Sequence, residues 1–150
     1  MEITAGCKYF FSSLVYLHTY SKLLVVSLYG NGHLRIPSRD SRSETDILLS
    51  FRTSQPTALL LLAAGTNDFC AVSLDSGAVR VRIDLGTGEA SVVTPAGLVF
   101  NDLQWHSVRL RRIQSTLTLT VDGMYATNAI TPGNFYEVRD HHNSQLAVAV

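Results

Sequence analysis

Four arginines carry the most chemistry in this sequence. Arg80 and Arg82 stand two residues apart, as do Arg109 and Arg111, with Arg112 beside the second pair. On a strand that spacing puts both guanidiniums of a pair on one face. If the two faces adjoin, the planar forks could pair with the sulfates of a glycan such as heparin. Asp75, Asp84 and Glu89 lie close enough in sequence to neutralise them, and the plain alternative is a solvated charged face. The remaining reactive groups are sparser. His141-His142 has no third patterned ligand for a transition metal. Trp105-His106 follows Asn101-Asp102 and reads as the anchor of a sheet edge and the start of a strand, rather than as a ligand contact. Ser76-Gly77 is a common turn pair, so glycosaminoglycan attachment is not expected there. No N-x-[ST] sequon occurs, which argues against N-glycosylation.

Catalytic signatures are missing. There is no nucleophile elbow, P-loop, dinucleotide fingerprint or H-E-x-x-H, and no pair of acids is spaced like two tuned carboxylates. The sequence is read as no enzyme. Twelve basic and 12 acidic residues give a formal net charge of zero, so no overall field favours nucleic acid or an anionic membrane. The two cysteines, Cys7 and Cys70, make no disulfide framework. A Cys7–Cys70 bridge is possible, but a strand cysteine is more often a buried hydrophobe.

The elements that must position these groups are strands. Ile47, Leu49, Phe51 and Thr53 alternate with Leu48, Ser50 and Arg52. The same period of two runs through Cys70-Val72-Leu74, Val79-Val81-Ile83, Val108-Leu110 and Leu117-Leu119-Val121. One wet and one buried face produce this pattern. Ala58 to Ala64 is continuously apolar and predicts a strand buried on both faces. Turn chemistry separates the runs: Gln55-Pro56-Thr57, Gly65-Thr66-Asn67, Asp75-Ser76-Gly77, Gly86-Thr87-Gly88, Asn101-Asp102, Asp122-Gly123 and Pro132-Gly133-Asn134. Asp122-Gly123 suits a tight turn with both residues left-handed, and Gly77 suits the left-handed place of a hairpin. Pro37 to Asp46 is polar and reads as a loop. With 150 residues, many short strands at regular spacing predict one all-β domain, an antiparallel β-sandwich.

The N-terminal part differs. Tyr9 to Tyr29 is apolar and aromatic with Lys22 as its one charge, but polar residues and tyrosines interrupt it. Residues 1–26 are read as a leader-like or non-domain segment, with an extra β-strand or a signal anchor as alternatives.

The order of the blocks resembles a laminin G-like domain. They are Asp46-Ile-Leu-Leu-Ser-Phe-Arg-Thr-Ser54, Leu59-Leu-Leu-Leu-Ala-Ala-Gly65, Asp68-Phe-Cys-Ala-Val-Ser-Leu-Asp-Ser-Gly77, Asn101-Asp-Leu-Gln-Trp-His-Ser-Val108 and Leu117-Thr-Leu-Thr-Val-Asp-Gly123. The resemblance covers residues 27–150. Within the family, Ser27-Leu-Tyr-Gly-Asn-Gly-His-Leu-Arg-Ile-Pro37 and Phe51 to Gly65 are most similar to the first such domain of cell-surface chondroitin sulfate proteoglycans, where a signal peptide stands in the place of residues 1–26. The implied fold is a concanavalin-like jelly roll. Such domains run further than this chain, so Leu146-Ala-Val-Ala-Val150 is expected to be an unpaired apolar edge, the domain lacking its last strand.

The resemblance also implies a site. Laminin G-like domains often hold Ca²⁺ at a rim of the sandwich, and the matching positions are the side chains of Asp68 and Asn143 with the carbonyls of Leu85 and His141. Oxygen ligands suit this hard cation, and a single full charge implies weak binding, about 10⁻⁴–10⁻³ M. The plain alternative makes Asp68 a turn cap and Asn143 an ordinary loop residue. The implied function is an extracellular adhesion module that recognises matrix proteins or sulfated glycans, carried by a membrane-anchored parent protein. The competing readings are a carrier of a small apolar, steroid-type ligand and a truncated, non-functional fragment.

Overall fold

The computed structural model describes residues 13–19, 22–28, 32–37, 44–65, 68–133 and 145–149, with backbone alone for 13–19, 22–28, 34–37 and 145–149. The described residues form strands and turns and contain no helix. The strands are β1 (Ser13–Thr19), β2 (Lys22–Leu28), β3 (His33–Pro37), β4 (Glu44–Arg52), β5 (Ala58–Ala64), β6 (Phe69–Asp75), β7 (Ala78–Asp84), β8 (Glu89–Val93), β9 (His106–Ile113), β10 (Thr116–Val121), β11 (Tyr125–Ile130) and β12 (Gln145–Ala149). They make two six-stranded sheets, in the orders β11-β10-β9-β4-β1-β2 and β3-β12-β5-β6-β7-β8. Every pairing is antiparallel. The expected sandwich is present.

The alternation expected from the sequence is the alternation observed. Leu49 and Phe51 of β4, Cys70, Val72 and Leu74 of β6, Val79, Val81 and Ile83 of β7, Val108 and Leu110 of β9, and Leu117, Leu119 and Val121 of β10 are buried in one apolar cluster. Each such side chain contributes about 1.5–3 kcal/mol through its removal from water. Interior polar groups are tied down: Thr94 Oγ1 accepts from Val79 N at 3.2 Å, and Thr131 N donates to Ser115 O at 2.9 Å.

Two expectations change. First, β5 is not buried on both faces. Its register slips between Leu59 and Leu61, a bulge that turns Leu60 and Leu61 inward together at 0% exposure while Leu59 and Ala64 face out. An apolar run with an inserted residue mimics a doubly buried strand. Second, β12 is no edge. It lies inside its sheet, with Leu146 opposite Ile36 on β3 and Ala63 on β5. In the other sheet β1 pairs with both β2 and β4, the extra-strand alternative for this segment.

The turns fix the strand ends. Asp122 and Gly123 are both left-handed, at φ 53° and 68°, as the sequence predicts. In the β6–β7 hairpin Ser76 joins Gly77 in that region, at 52° and 85°. The Gln114-Ser115 hairpin between β9 and β10, with Gln114 at φ 54°, carries no glycine, proline or asparagine to reveal it. Gly77 is tightly constrained. Its N–H donates to Pro56 O at 2.7 Å, its carbonyl accepts from Phe100 N at 2.8 Å, and a Cβ there would stand 2.6 Å from Asn101 Oδ1. Gly123 has the same handedness with open space around it.

These two glycines give a matched test of packing against backbone strain. Gly123→Ala is expected to lower stability by about 1–2 kcal/mol through the left-handed backbone alone. Gly77→Ala adds a steric clash and is expected to cost about 2–4 kcal/mol. Urea unfolding of both variants checks this; equal losses would refute the packing argument.

Candidate functional site

The sandwich has two rims, at opposite ends of β6. Asp68 precedes β6 at one end, and Asp75 closes it at the other, roughly 23 Å away over a seven-residue strand. Phe69 pairs with Asp84, so the antiparallel ladder sets Asp68 beside Leu85, the first residue past β7. Asp68 is 7% exposed, an unusual burial for a carboxylate. Leu85 keeps its side chain in the core at 5% exposure, which holds its backbone at the sheet end. The turn that follows is rigidly built. Asp84 Oδ1 accepts from Gly86 N at 2.8 Å and from Gly88 N at 3.2 Å. Thr87 Oγ1 donates to Pro132 O at 2.6 Å, tying this turn to the chain beyond β11. β12 begins at Gln145, opposite Ala64 and therefore at the same end of the sheet. Asp68 and Leu85 are thus brought together. His141 and Asn143, the other two residues of the implied calcium set, lie outside the described residues, as does His142.

The arginines are not brought together. Arg80 and Arg82 lie on the outer face of β7, Arg109 and Arg111 on that of β9, and the two strands belong to different sheets. One continuous strip across all four does not form. Carboxylates engage three of them. Arg82 donates to both oxygens of Glu89 at 2.8 and 2.7 Å, Arg109 to both of Asp46 at 2.9 and 2.6 Å, and Arg80 lies 3.0 Å from Asp75. The hydrogen bond from Arg109 holds the Asp46 carboxyl below its ordinary range, and that from Arg82 does the same for Glu89. Exposed pairs of this kind add little to stability. They do orient guanidinium edges along each sheet.

Arg112 goes the other way. It shares the inward face of β9 with Val108 and Leu110 and is 1% exposed. Its Nη1 donates to Gln114 O and its Nη2 to Thr45 Oγ1, each at 3.2 Å. Burial pulls its pKa below the ordinary arginine value. The signal was available: residue 112 has the parity of 108 and 110, although its type suggests solvent. Cys70 is buried near that charge as a free thiol, and burial pushes its pKa up to about 12. Its partner in the possible bridge, Cys7, lies outside the described residues.

The second rim holds Trp105 and His106. Trp105 is 40% exposed, and the Arg52 guanidinium stands over its ring at 5.5 Å. His106 opens β9 as expected, but its ring is buried between two carboxylates, Asp102 and Asp122. The sequence marked both carboxylates as turn residues only, with no sign that they would meet a histidine. They fall on two separate turns, 16 and four residues from the histidine.

Two antiparallel sheets packed face to face, with polar groups gathered on rim turns, define a jelly-roll β-sandwich of the kind that presents its loops to a ligand. The family model for the laminin G domain matches residues 51–148, and the chain belongs to that family. It is 44% identical over 106 residues, 71% of the chain, to rat chondroitin sulfate proteoglycan 4, and 34% identical over 111 residues, 63% of the chain, to mouse neurexin-2. The chain spans only 5% and 6% of those relatives' lengths. Among solved structures, the mouse laminin alpha1 LG4-5 domains superpose with a TM-score of 0.70 at 28% identity, over 79% of this chain and 32% of that one. The LG1-3 region of the laminin alpha2 chain gives 0.74 at 22% identity, over 90% of this chain and 25% of that one, which supports the fold.

Cys70 offers a direct check of the core at the Asp68 end. At about pH 8 in native buffer the Cys70 peptide is expected to resist iodoacetamide, and to be alkylated fully once denaturant is added. Mass spectrometry of the digested protein reads both states. Fast native labelling would contradict the burial of this residue.

Proposed function

We propose that this chain is an extracellular, non-enzymatic binding module that engages a matrix protein at its Asp68 rim, with Ca²⁺ as part of the surface. The observation that carries this reading is a carboxylate buried to 7% exposure at a sheet end, set by the ladder beside Leu85. A hard cation such as Ca²⁺ takes a carboxylate and backbone carbonyls as oxygen ligands, the two kinds of group that meet here. Asp68 would give the charged ligand and Leu85 its carbonyl, with Asn143 and His141 as the proposed remainder of the set. The bound cation would supply a fixed positive charge that ligand carboxylates or sulfates can join. The rigid Asp84–Gly88 turn would keep Leu85 in place without moving on binding.

Sulfated glycans are the second ligand class in this proposal, with a narrower surface than the sequence suggested. Arg109 and Arg111 share one face with Asp46, which stands opposite Arg111 and bonds to Arg109, and Arg80 and Arg82 share another with Asp75 and Glu89. Each face would offer a few guanidiniums, so heparin affinity should be weak and salt-sensitive. The likeness to chondroitin sulfate proteoglycan 4 supports a cell-surface setting and a membrane-anchored parent protein. The sheets' facing surfaces are filled by Phe51, Leu60, Leu61 and Leu74 at 0–1% exposure, which favours a rim ligand over a steroid-type guest between the sheets.

Millimolar Ca²⁺ is expected to raise the melting temperature of the chain, with half-saturation at about 10⁻⁴–10⁻³ M. Asp68→Asn keeps the side chain's shape, removes its charge, and should weaken that response at least about tenfold. Differential scanning calorimetry with and without calcium gives the answer. A wild type indifferent to calcium, or a variant that responds equally, would sink the cation part of the proposal.

A further inference from the structure

The second rim carries a feature the binding reading does not use. His106 Nδ1 lies 2.8 Å from Asp122 Oδ2, and its Nε2 lies 2.9 Å from Asp102 Oδ1. An ionised carboxylate only accepts hydrogen bonds, and a neutral imidazole has one N–H. A neutral ring would therefore aim a lone pair at one of two anions. Only the imidazolium form satisfies both contacts. The ring is also screened from water: Phe51 lies 5.7 Å away and Phe100 meets it edge-on at 5.1 Å, with Tyr125 beyond Phe100 at 6.1 Å. The charges that face it are Asp122 from the β10–β11 turn and Asp102 from the loop before β9; β4 and the Phe100 segment present aromatic rings.

The two carboxylates are held differently. Asp122 is built into the sheet: its Oδ1 accepts from Ser107 N at 2.7 Å, and its own N–H donates to Ser107 O at 2.8 Å. Asp102 is exposed, and its other contact is with its own loop, from Gln104 N at 2.8 Å. That loop is strained, with Leu103 left-handed at φ 64°, and a bond from Leu103 N to Thr53 O at 3.1 Å ties it to the chain after β4. It carries Leu103 and Trp105, exposed at 54% and 40%.

We propose that His106 is a proton-operated latch: protonated, it clamps the 101–105 loop to the β10–β11 turn through Asp102 and Asp122, and on losing the proton it releases Asp102 and frees the loop that bears Leu103 and Trp105. Asp122 keeps one ring N–H in either state, so the release is one-sided. Burial, the largest single influence, pulls the His106 pKa down, but the hydrogen bonds its ring donates to Asp122 and Asp102 and the charges of those two acids outweigh it, and the result lies above the ordinary 6.5. A folded-state pKa raised in this way makes the latch fully effective below the unfolded value. The latch is lost as the pH rises through the folded one. The surface offered at this rim is then a function of pH on the alkaline side of 6.5.

Trp105 is the single tryptophan of the chain, so its fluorescence reports this loop alone. Between about pH 5.5 and about pH 9 the emission is expected to shift in one step, with the same midpoint as the His106 ring signals in NMR, both above the ordinary histidine value. Asp102→Asn, at an exposed position, should leave the cooperative fold intact, lower the midpoint by about one pH unit and shrink the emission step. His106→Gln should abolish the step; if that variant fails to fold, Asp102→Asn decides alone. A flat emission profile in a folded protein, or a midpoint unchanged in Asp102→Asn, overturns the proposal.

Discussion

The structure depends on burial of one face of each sheet against the other. Every second side chain of β4, β6, β7, β9 and β10 enters the space between the sheets, where Leu49, Phe51, Val72, Val81, Val108, Leu110 and Leu119 are at 0–1% exposure. A strand cannot slip by one residue without turning that whole set to water. The register therefore sets everything that follows, including which polar residues are forced inside. Arg112 and His106 are buried because they share parity with Val108 and Leu110 on β9. Their partners, Thr45 and the Gln114 carbonyl for one, Asp102 and Asp122 for the other, are there to meet that obligation.

Once the sheets are fixed, most of the charged side chains lie on their outer faces and rims. The outer faces carry guanidinium–carboxylate pairs on two different sheets, which keeps the surface neutral and prevents one basic tract. The rims are chemically distinct. At one, Asp68 and Leu85 meet at the end of a ladder, beside a turn held by Asp84 and Thr87. At the other, the tight β6–β7 hairpin locks against Pro56, Phe100 and Asn101, and the loop before β9 exposes Leu103 and Trp105. A rigid sandwich with separate rims can bind at one end and respond to conditions at the other without either disturbing the core.

The strands were legible because period-two alternation is a direct imprint of a half-buried sheet, and the tight turns because left-handed backbone selects glycine and its few substitutes. Asp122-Gly123 and Ser76-Gly77 follow that rule; Gln114-Ser115 does not, since the strands on either side impose the turn on residues with no preference for it. β5 misled for a related reason. A bulge buries Leu60 and Leu61 together, and a string of apolar letters cannot show where an inserted residue lies. Of the candidate site, Asp68 and Leu85 were identifiable through family resemblance, and the ladder brings them side by side. The pairing of His106 with Asp102 and Asp122 was invisible, because a histidine and two turn aspartates are ordinary letters until the chain folds them together.

By itself the sequence determined that this chain forms an antiparallel sandwich, since alternation and turn residues are local properties written one strand at a time; the laminin G type was legible only as a resemblance of whole blocks. Tertiary structure alone decided which strands became neighbours: that β12 lies inside its sheet, that the arginine pairs face away from one another on separate sheets, and that His106 sits between two acids. The physical reason is that alternation tells each side chain whether to point in or out, but carries no information about what it will meet there.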